Sequence, residues 1–467
     1  MTIKMEDLTY KSINVIDKLT DAEKASMENL CSEYRIFLDL GKTERECVEY
    51  TKELAEAKGY KNIDDVKELK PGDKVYKINR KKNIILFVIG KEDIENGFNI
   101  VGSHIDSPRL DLKQNPLYES CNMSLLRTHY YGGIKKYQWT SIPLSIHGVV
   151  FTKDGEEKRI VIGEDDSDPV FCINDLLPHL GKDQNAKKLS EGIEGEALTV
   201  LVGGWPVSDE TKDNRIKLNV LNILNKKYGI CEKDFLSAEL EVVPAFKSKN
   251  IGFDGAFIGA YGQDDRVCAF TSLKAIFDIE NPKKTAVCFF VDKEEVGSMG
   301  NTGMLSDFFR FTIAEVIDKT KGSCDYLSLA HSISNSACMS SDVAAAVDPN
   351  YENVNEKQNA AISGHGITLV KYTGVRGKAG SSDANAEFVY KLGKTLDDNG
   401  VYWQTAELGK VDFGGGGTIA QYVANLNMDV IDCGVPVLSM HAPFEVTAKA
   451  DIYMAYKAYE AFFRDFK

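Results

Sequence analysis

The sequence predicts an α/β protein interrupted by an inserted β-rich segment, and three observations lead there. The chain's 467 residues exceed the size at which a single hydrophobic core keeps growing, so two domains are expected. The apolar run TAVCFFV (285–291) reads as a buried parallel strand, and a helical pattern comes just before it. From about Lys113 the texture changes to alternating segments with charged turns between them, and near Ala245 the α/β pattern resumes. The expected boundaries are 1–112 with 247–467 for a discontinuous α/β domain, and 113–246 for the insertion.

Taken in order, the amino-terminal region reads as helical, most clearly at Thr43-Glu44-Arg45-Glu46. That string is a Ser/Thr-x-x-Glu capping box, and the helix it opens should stop near Gly59. Two strands follow, NIILFVIG (83–90) and NIVGSHIDS (99–107), and the insertion then offers PLSIHGVVF (143–151), EKRIVIG (157–163) and ALTVLVGG (197–204). A helix is expected to start at Asp264 or Asp265, because Ala269, Phe270, Leu273, Ile276 and Phe277 have the spacing of a core-facing stripe. The chain should close as strand, turn and helix: MDVIDCG (428–434), VPVLSMH (435–441), then a helix with Ile452, Tyr456, Tyr459 and Phe463 on one face.

Composition narrows the function. A net charge of −14 argues against nucleic acid or an anionic membrane as the main partner. No amino-terminal stretch has the pattern of a signal peptide and no apolar run is long enough to span a bilayer, so a cytoplasmic location is expected. The ten cysteines form no CxxC pair and read as reduced core residues.

The chemistry concentrates at predicted strand ends. Glu294 and Glu295 follow TAVCFFV in DKEEVGSMG (292–300), and open α/β sheets carry their sites beyond the carboxyl ends of such strands. Neighbours on extended chain point in opposite directions, so one carboxylate can face a metal and the other a water or substrate. In GSHIDSPRL (102–110), His104 and Asp106 share a face, which permits a histidine ligand with a carboxylate behind its ring; a satisfied strand-end histidine is the plain alternative. Asp264 and Asp265 can equally be caps of their helix. Asp342 and His441 complete a set of His, Asp and Glu donors suited to zinc, cobalt or manganese rather than calcium. Five ligands are too many for one tetrahedral zinc and suit two ions sharing a bridging carboxylate.

GSHIDSPRL, NDLLPHL (174–180), DKEEVGSMG, SSDVAAAVDPNY (340–351) and VLSMHAPFEV (437–446), in this order, closely resemble the aspartyl aminopeptidase family of dinuclear-zinc exopeptidases, across essentially the whole chain. The resemblance implies a mixed-sheet zinc-exopeptidase domain with an inserted β-rich dimerisation domain, the dimers building a tetrahedral dodecamer. It implies two divalent ions per subunit, one on His104, Asp264 and Asp342, the other on Asp264, Glu295 and His441, with Asp264 bridging. Glu294 matches the general base that takes a proton from a metal-activated water, and Asp106 the carboxylate orienting His104. The implied substrate is a peptide with a free amino terminus.

Read without the resemblance, His179 is a surface or structural histidine; the family places its match at a neighbouring subunit's active site, so it joins the catalytic candidates. A preference for amino-terminal Asp or Glu needs a cation, and KYTGVRGKAGSSDA (371–384) offers Lys371, Arg376 and Lys378. Lys371, directly after the apolar ITLV (367–370), is the expected substrate contact. The Gly414–Gly417 run has neither the dinucleotide spacing nor a Walker lysine, so Gly415 and Gly416 are expected to bring backbone N–H groups close to substrate. Asp348 stands where many relatives, especially eukaryotic ones, show His. Two competing functions stay open: a related di-zinc aminopeptidase of glutamyl or broader selectivity, and a non-catalytic scaffold for assembly or cargo.

Overall fold

A computed structural model describes residues 8–377 and 379–467. Among these residues the strands form sheets of nine, six and five. The nine-stranded sheet runs in the order Lys61–Asn62, Lys74–Asn79, Asn83–Val88, Thr285–Val291, Phe98–His104, Ala337–Ser340, Asp429–Gly434, Ile367–Val370, Trp403–Thr405. Its four central strands, 285–291, 98–104, 337–340 and 429–434, are mutually parallel. The expectation of a parallel strand at 285–291 holds on one side only, because its other neighbour, Asn83–Val88, is antiparallel. Both neighbours are fully buried strands, as are its own seven residues, and burial pattern alone does not reveal strand direction.

Helices cover this sheet. Gln263–Phe277 is buried at every position except Lys274, wedged between the sheet and the closing helix Lys449–Asp465. The predicted stripe is therefore part of a helix that is buried nearly all round, its polar residues Gln263, Asp264, Asp265, Arg266, Thr271 and Ser272 included. On the closing helix Ile452, Tyr459 and Phe463 are buried and Tyr456 packs partly buried against the same core. The capping box at Thr43 opens the helix Glu44–Ala57, with Lys58 as its carboxyl cap.

The six-stranded sheet draws its strands from Arg109 to Pro244, in the order Glu157–Ile162, Leu144–Phe151, Glu239–Pro244, Arg109–Ser120, Met123–Tyr131, Thr199–Gly203. Its first strand starts four residues before 113, and its span includes a helix, Arg215–Tyr228, that alternation did not suggest. A buried network fastens this sheet to the helix 44–57. His147 Nδ1 lies 2.8 Å from Glu46 Oε1 and Nε2 3.1 Å from Glu164 Oε1, while Lys42 Nζ donates to Glu164 Oε1 at 2.7 Å. Burial opposes charge on the imidazole, but Glu164 and Glu46 outweigh it and raise the His147 pKa, so the ring can donate from both nitrogens.

The five-stranded sheet holds Phe257–Ala260, Pro436–Leu438 and Glu445–Ala448. The segment after Gly434 is thus a short hairpin rather than a simple turn into a helix. All ten cysteines are free; six are buried, Cys172, Cys231 and Cys324 are half-buried and Cys121 is exposed, so the core reading applies to the six. Among the described residues no helix is long and apolar enough to cross a membrane.

Candidate metal centre

The four parallel strands end along one edge and deliver the expected residues there. Phe98–His104 finishes on His104, which is paired in register with Val291, so the Glu294–Glu295 turn begins three residues beyond it. Ser340 pairs with Gly102 on one side and Asp432 on the other, and Asp342 follows two residues later. Asp264 enters from the first turn of helix 263–277, where the backbone at Asp264 and Asp265 is non-helical and their peptide bond is cis. His441 lies in the hairpin turn between 436–438 and 445–448, with a left-handed backbone at φ 65°.

The side chains converge. His104 Nε2 lies 3.2 Å from Asp264 Oδ1, 3.8 Å from Asp342 Oδ1 and 3.9 Å from Glu294 Oε2. His441 Nε2 lies 3.2 Å from Asp264 Oδ2 and 3.5 Å from Glu295 Oε2. One carboxylate therefore turns its two oxygens to two different imidazoles. Donors about 2.0–2.1 Å from a tetrahedral ion are roughly 3.4 Å apart, so these separations suit donors sharing an ion.

Tautomers agree with that use. His104 Nδ1 is 3.0 Å from the Asp106 main-chain oxygen and His441 Nδ1 is 3.0 Å from the Gly133 oxygen. A carbonyl only accepts, so each Nδ1 carries the hydrogen, and in the neutral ring Nε2 presents its lone pair to the centre. Asp264 Oδ1 and Glu295 Oε1 are buried without a well-aligned hydrogen-bond donor, although His104 Nε2 stands 3.2 Å from the former. Among the described residues, the trios whose ligand atoms lie within 4.8 Å of one another are His104 with Asp264 and Glu295, and His104 with Glu294 and Asp342. The grouping around Asp264 is preferred because its two 3.2 Å contacts leave by separate oxygens. The residues present fit a divalent cation.

Without cations the cluster holds protons. Burial first, then Asp342, Asp106 and Asp264 against the opposing His104, pushes Glu294 up to about 8. Burial would lower His441, but its bond to Asp264 and the charge of Glu295 push it up to about 11. Positive ions at the centre invert that logic and favour the carboxylates and neutral imidazoles.

The surrounding contacts add further supports. Asp106 meets His104 Nδ1 with its main-chain oxygen at 3.0 Å and with its carboxylate at 3.4 Å. It accepts the Glu294 N–H at 3.2 Å, the Glu295 N–H at 3.2 Å and the Tyr131 hydroxyl at 2.8 Å. Glu445, fully buried, accepts the His441 N–H at 2.7 Å and the Asp264 N–H at 3.0 Å. Asp265 accepts the His104 N–H at 3.3 Å. Glu445 lies in the string VLSMHAPFEV four residues after His441, the only sequence signal for its role.

A cavity of about 280 Å³ opens beside the centre, lined by Asp264, Glu294, Asp342 and His441 on one side and Gly415 and Gly416 on another. Gly415 has φ +107°, and a Cβ there would stand 2.0 Å from the Gly374 oxygen, so the close passage of these two loops requires glycine. Gly416 carries no such constraint: a Cβ would meet Leu408 at 3.6 Å. The cationic liners are Arg376, Lys410 and His441. Lys371 is not a liner; its ammonium donates to the Tyr372 hydroxyl at 3.0 Å and lies 4.4 Å from that ring. Val370, Tyr372 and Thr373 line the cavity, and the Lys371 ammonium packs on the Tyr372 hydroxyl and ring instead of reaching the lining itself. Lys378 lies outside the described residues. His179 is exposed in the short helix Pro178–Leu180, away from this protomer's cavity, and Asp348 accepts the Asn350 N–H at 2.8 Å without lining it.

Comparison with known proteins gives a consistent result. The family model described as aminopeptidase I zinc metalloprotease (M18) matches residues 37–463. A probable M18 family aminopeptidase 1 of Clostridium acetobutylicum is 52% identical over 460 residues, 98% of this chain and 99% of the relative. The crystal structure of an M18 family aminopeptidase from Thermotoga maritima superposes with a TM-score of 0.94 at 46% identity, covering 98% of this chain and 100% of that one. The mApe1 dodecamer of S. cerevesiae shares the fold, with a TM-score of 0.74 at 22% identity over 94% of this chain and 97% of its own.

Proposed function

The chain belongs to the M18 family of zinc metallo-aminopeptidases, and from that membership we propose that it removes amino-terminal residues, Asp and Glu by preference, from short peptides at a dinuclear centre. The observation that carries the reading is Asp264 shared between His104 and His441, with Glu294 at the edge of the same cavity. His104, Asp264 and Asp342 would hold one ion and Asp264, Glu295 and His441 the other, with zinc favoured by the family and by the donor set. When bound, the ions supply a water acidified toward neutral pH and a Lewis acid for the scissile carbonyl.

The protein's own groups do the rest. Glu294, its side chain 17% exposed, takes the proton of the attacking water and returns it to the leaving amine. Asp106 holds the main chain of the Glu294–Glu295 turn from behind, which leaves both side chains free to face the centre. Gly415 and Gly416 let the backbone approach the substrate. Among the described residues, Arg376 and Lys410 are the cavity's cations available to an acidic side chain.

A hydrolysis panel of Asp-, Glu-, Leu- and Lys-linked chromogenic substrates, run with metal content measured, tests the activity and its selectivity together. Arg376→Met is expected to lower kcat/KM on Asp and Glu substrates by about 10-fold and on Leu by less than twofold, an effect discounted for the exposure of the arginine. Lys371→Met should be nearly silent. Glu407 also lines the cavity, and it supports a second reading of broader selectivity; equal losses on all substrates, or a wild-type preference for Leu or Lys, would decide for it.

Dimers formed through the inserted sheet, building a closed dodecamer, complete the proposal. His179 would then act at a neighbouring subunit's cavity, consistent with its exposure here. Light scattering on dilute protein should find a closed oligomer, with activity lost on dissociation. A stable, fully active monomer would rule out both the assembly and the role of His179.

A further inference from the structure

The catalytic turn is gripped from the inserted sheet. Tyr131 ends the strand Met123–Tyr131 and is paired in register with Arg109 on the neighbouring strand. Its hydroxyl crosses to the nine-stranded sheet and donates to Asp106 Oδ2 at 2.8 Å. The same oxygen accepts the Glu295 N–H, while Oδ1 accepts the Glu294 N–H. The Asp106 side chain is fully buried, so each of these donors matters to a charge that has no water to turn to.

The tyrosine is itself fixed. The Arg109 guanidinium lies over its ring at 3.9 Å and is pinned by Asp111 at 2.9 Å, Glu241 at 3.2 Å and Glu44 at 3.5 Å. The chain beyond continues the grip. Gly132, at φ +76°, passes so close that a Cβ would stand 3.2 Å from Glu295 Oε2, and the Gly133 oxygen takes the His441 Nδ1 hydrogen. Three consecutive residues at the end of one strand thus touch the supports of both glutamates and of one histidine.

We propose that Tyr131 is a positioning residue, which acts through the Asp106 carboxylate to hold the Glu294–Glu295 turn at the centre. It does not touch substrate. By its place in the insertion it also makes the insertion part of the active centre's rigidity, so that a strain in that sheet is felt at the base and at one ligand. The inference rests on the reading of Glu294 and Glu295 given above.

Tyr131→Phe removes the hydroxyl and keeps the ring under Arg109. The expected result is a kcat about 10-fold below wild type with KM within twofold, and zinc affinity, read by competition with a chromogenic chelator, about 10-fold weaker. The melting temperature should move by only a few degrees. In an Asp106→Asn background the same substitution should cost nothing further, because its route is already cut. A kcat and zinc affinity both within twofold of wild type would overturn the proposal, and so would losses that multiply in the double variant. Zinc affinity is read without turnover, so a wild type that hydrolyses none of the panel would refute the peptidase reading and still leave Tyr131 tested by its own measurement.

Discussion

Glu294→Gln should retain the metal content of the wild type and lower kcat by about 10²–10⁴-fold. The amide has the shape of the carboxylate but no place for the water's proton. The main chain is unaffected, since Asp106 holds the 294 and 295 N–H groups whatever the side chain, and the neighbouring Glu295 still faces His441. The pH dependence carries a sign. Glu294 works as a base only when ionised, so activity should rise with pH through its pKa. Burial and the surrounding carboxylates push that group up to about 8 without cations, and bound cations must bring it down for turnover at neutral pH. Metal analysis beside steady-state kinetics decides the matter. Near-normal turnover in the variant would remove Glu294 from the base role.

Which parts of this site could be read from the chain follows from how far apart its contacts lie. Strand ends are legible because apolar runs terminate visibly, and His104, Glu294, Glu295 and Asp342 all sit just at or after such ends. The capping box at Thr43 is legible because its bonds span three residues. Tyr131 is 25 residues from Asp106, the Glu294 amide 188 and the pair Gly133 with His441 308, and no local pattern encodes such pairs. Lys371 fails for a different reason. The apolar run before it marks a strand correctly, but the lysine follows that strand and its ammonium packs on Tyr372, while Arg376 and Lys410 line the cavity. The hairpin at 436–448 fails through length: strands of three and four residues give too few alternations to count. Asp106 is legible by its spacing, and only geometry adds that its carbonyl as well as its carboxylate approaches the ring.

Asp264→Asn is expected to be the more damaging substitution, because a single oxygen cannot serve both imidazole sides of the centre. In the wild type, Oδ1 faces His104 and Oδ2 faces His441 at equal distances of 3.2 Å. The asparagine presents an NH₂ group to one of them, and a donor there opposes a cation. At least one ion should be lost, with kcat/KM down about 10³-fold or more, since the acidified water is lost with it. A thermodynamic measurement separates this from a folding defect. A ligand held only by the folded state stabilises by RT ln(1 + [L]/Kd), about 4 kcal/mol at a thousandfold excess over Kd. The wild-type melting temperature should therefore climb as zinc is titrated into metal-free protein, and that of Asp264→Asn should climb much less. A variant that binds two ions per chain, melts with the wild-type zinc response and hydrolyses peptides normally would show that Asp264 is no bridge, and the pairing of ligands about it would have to be redrawn.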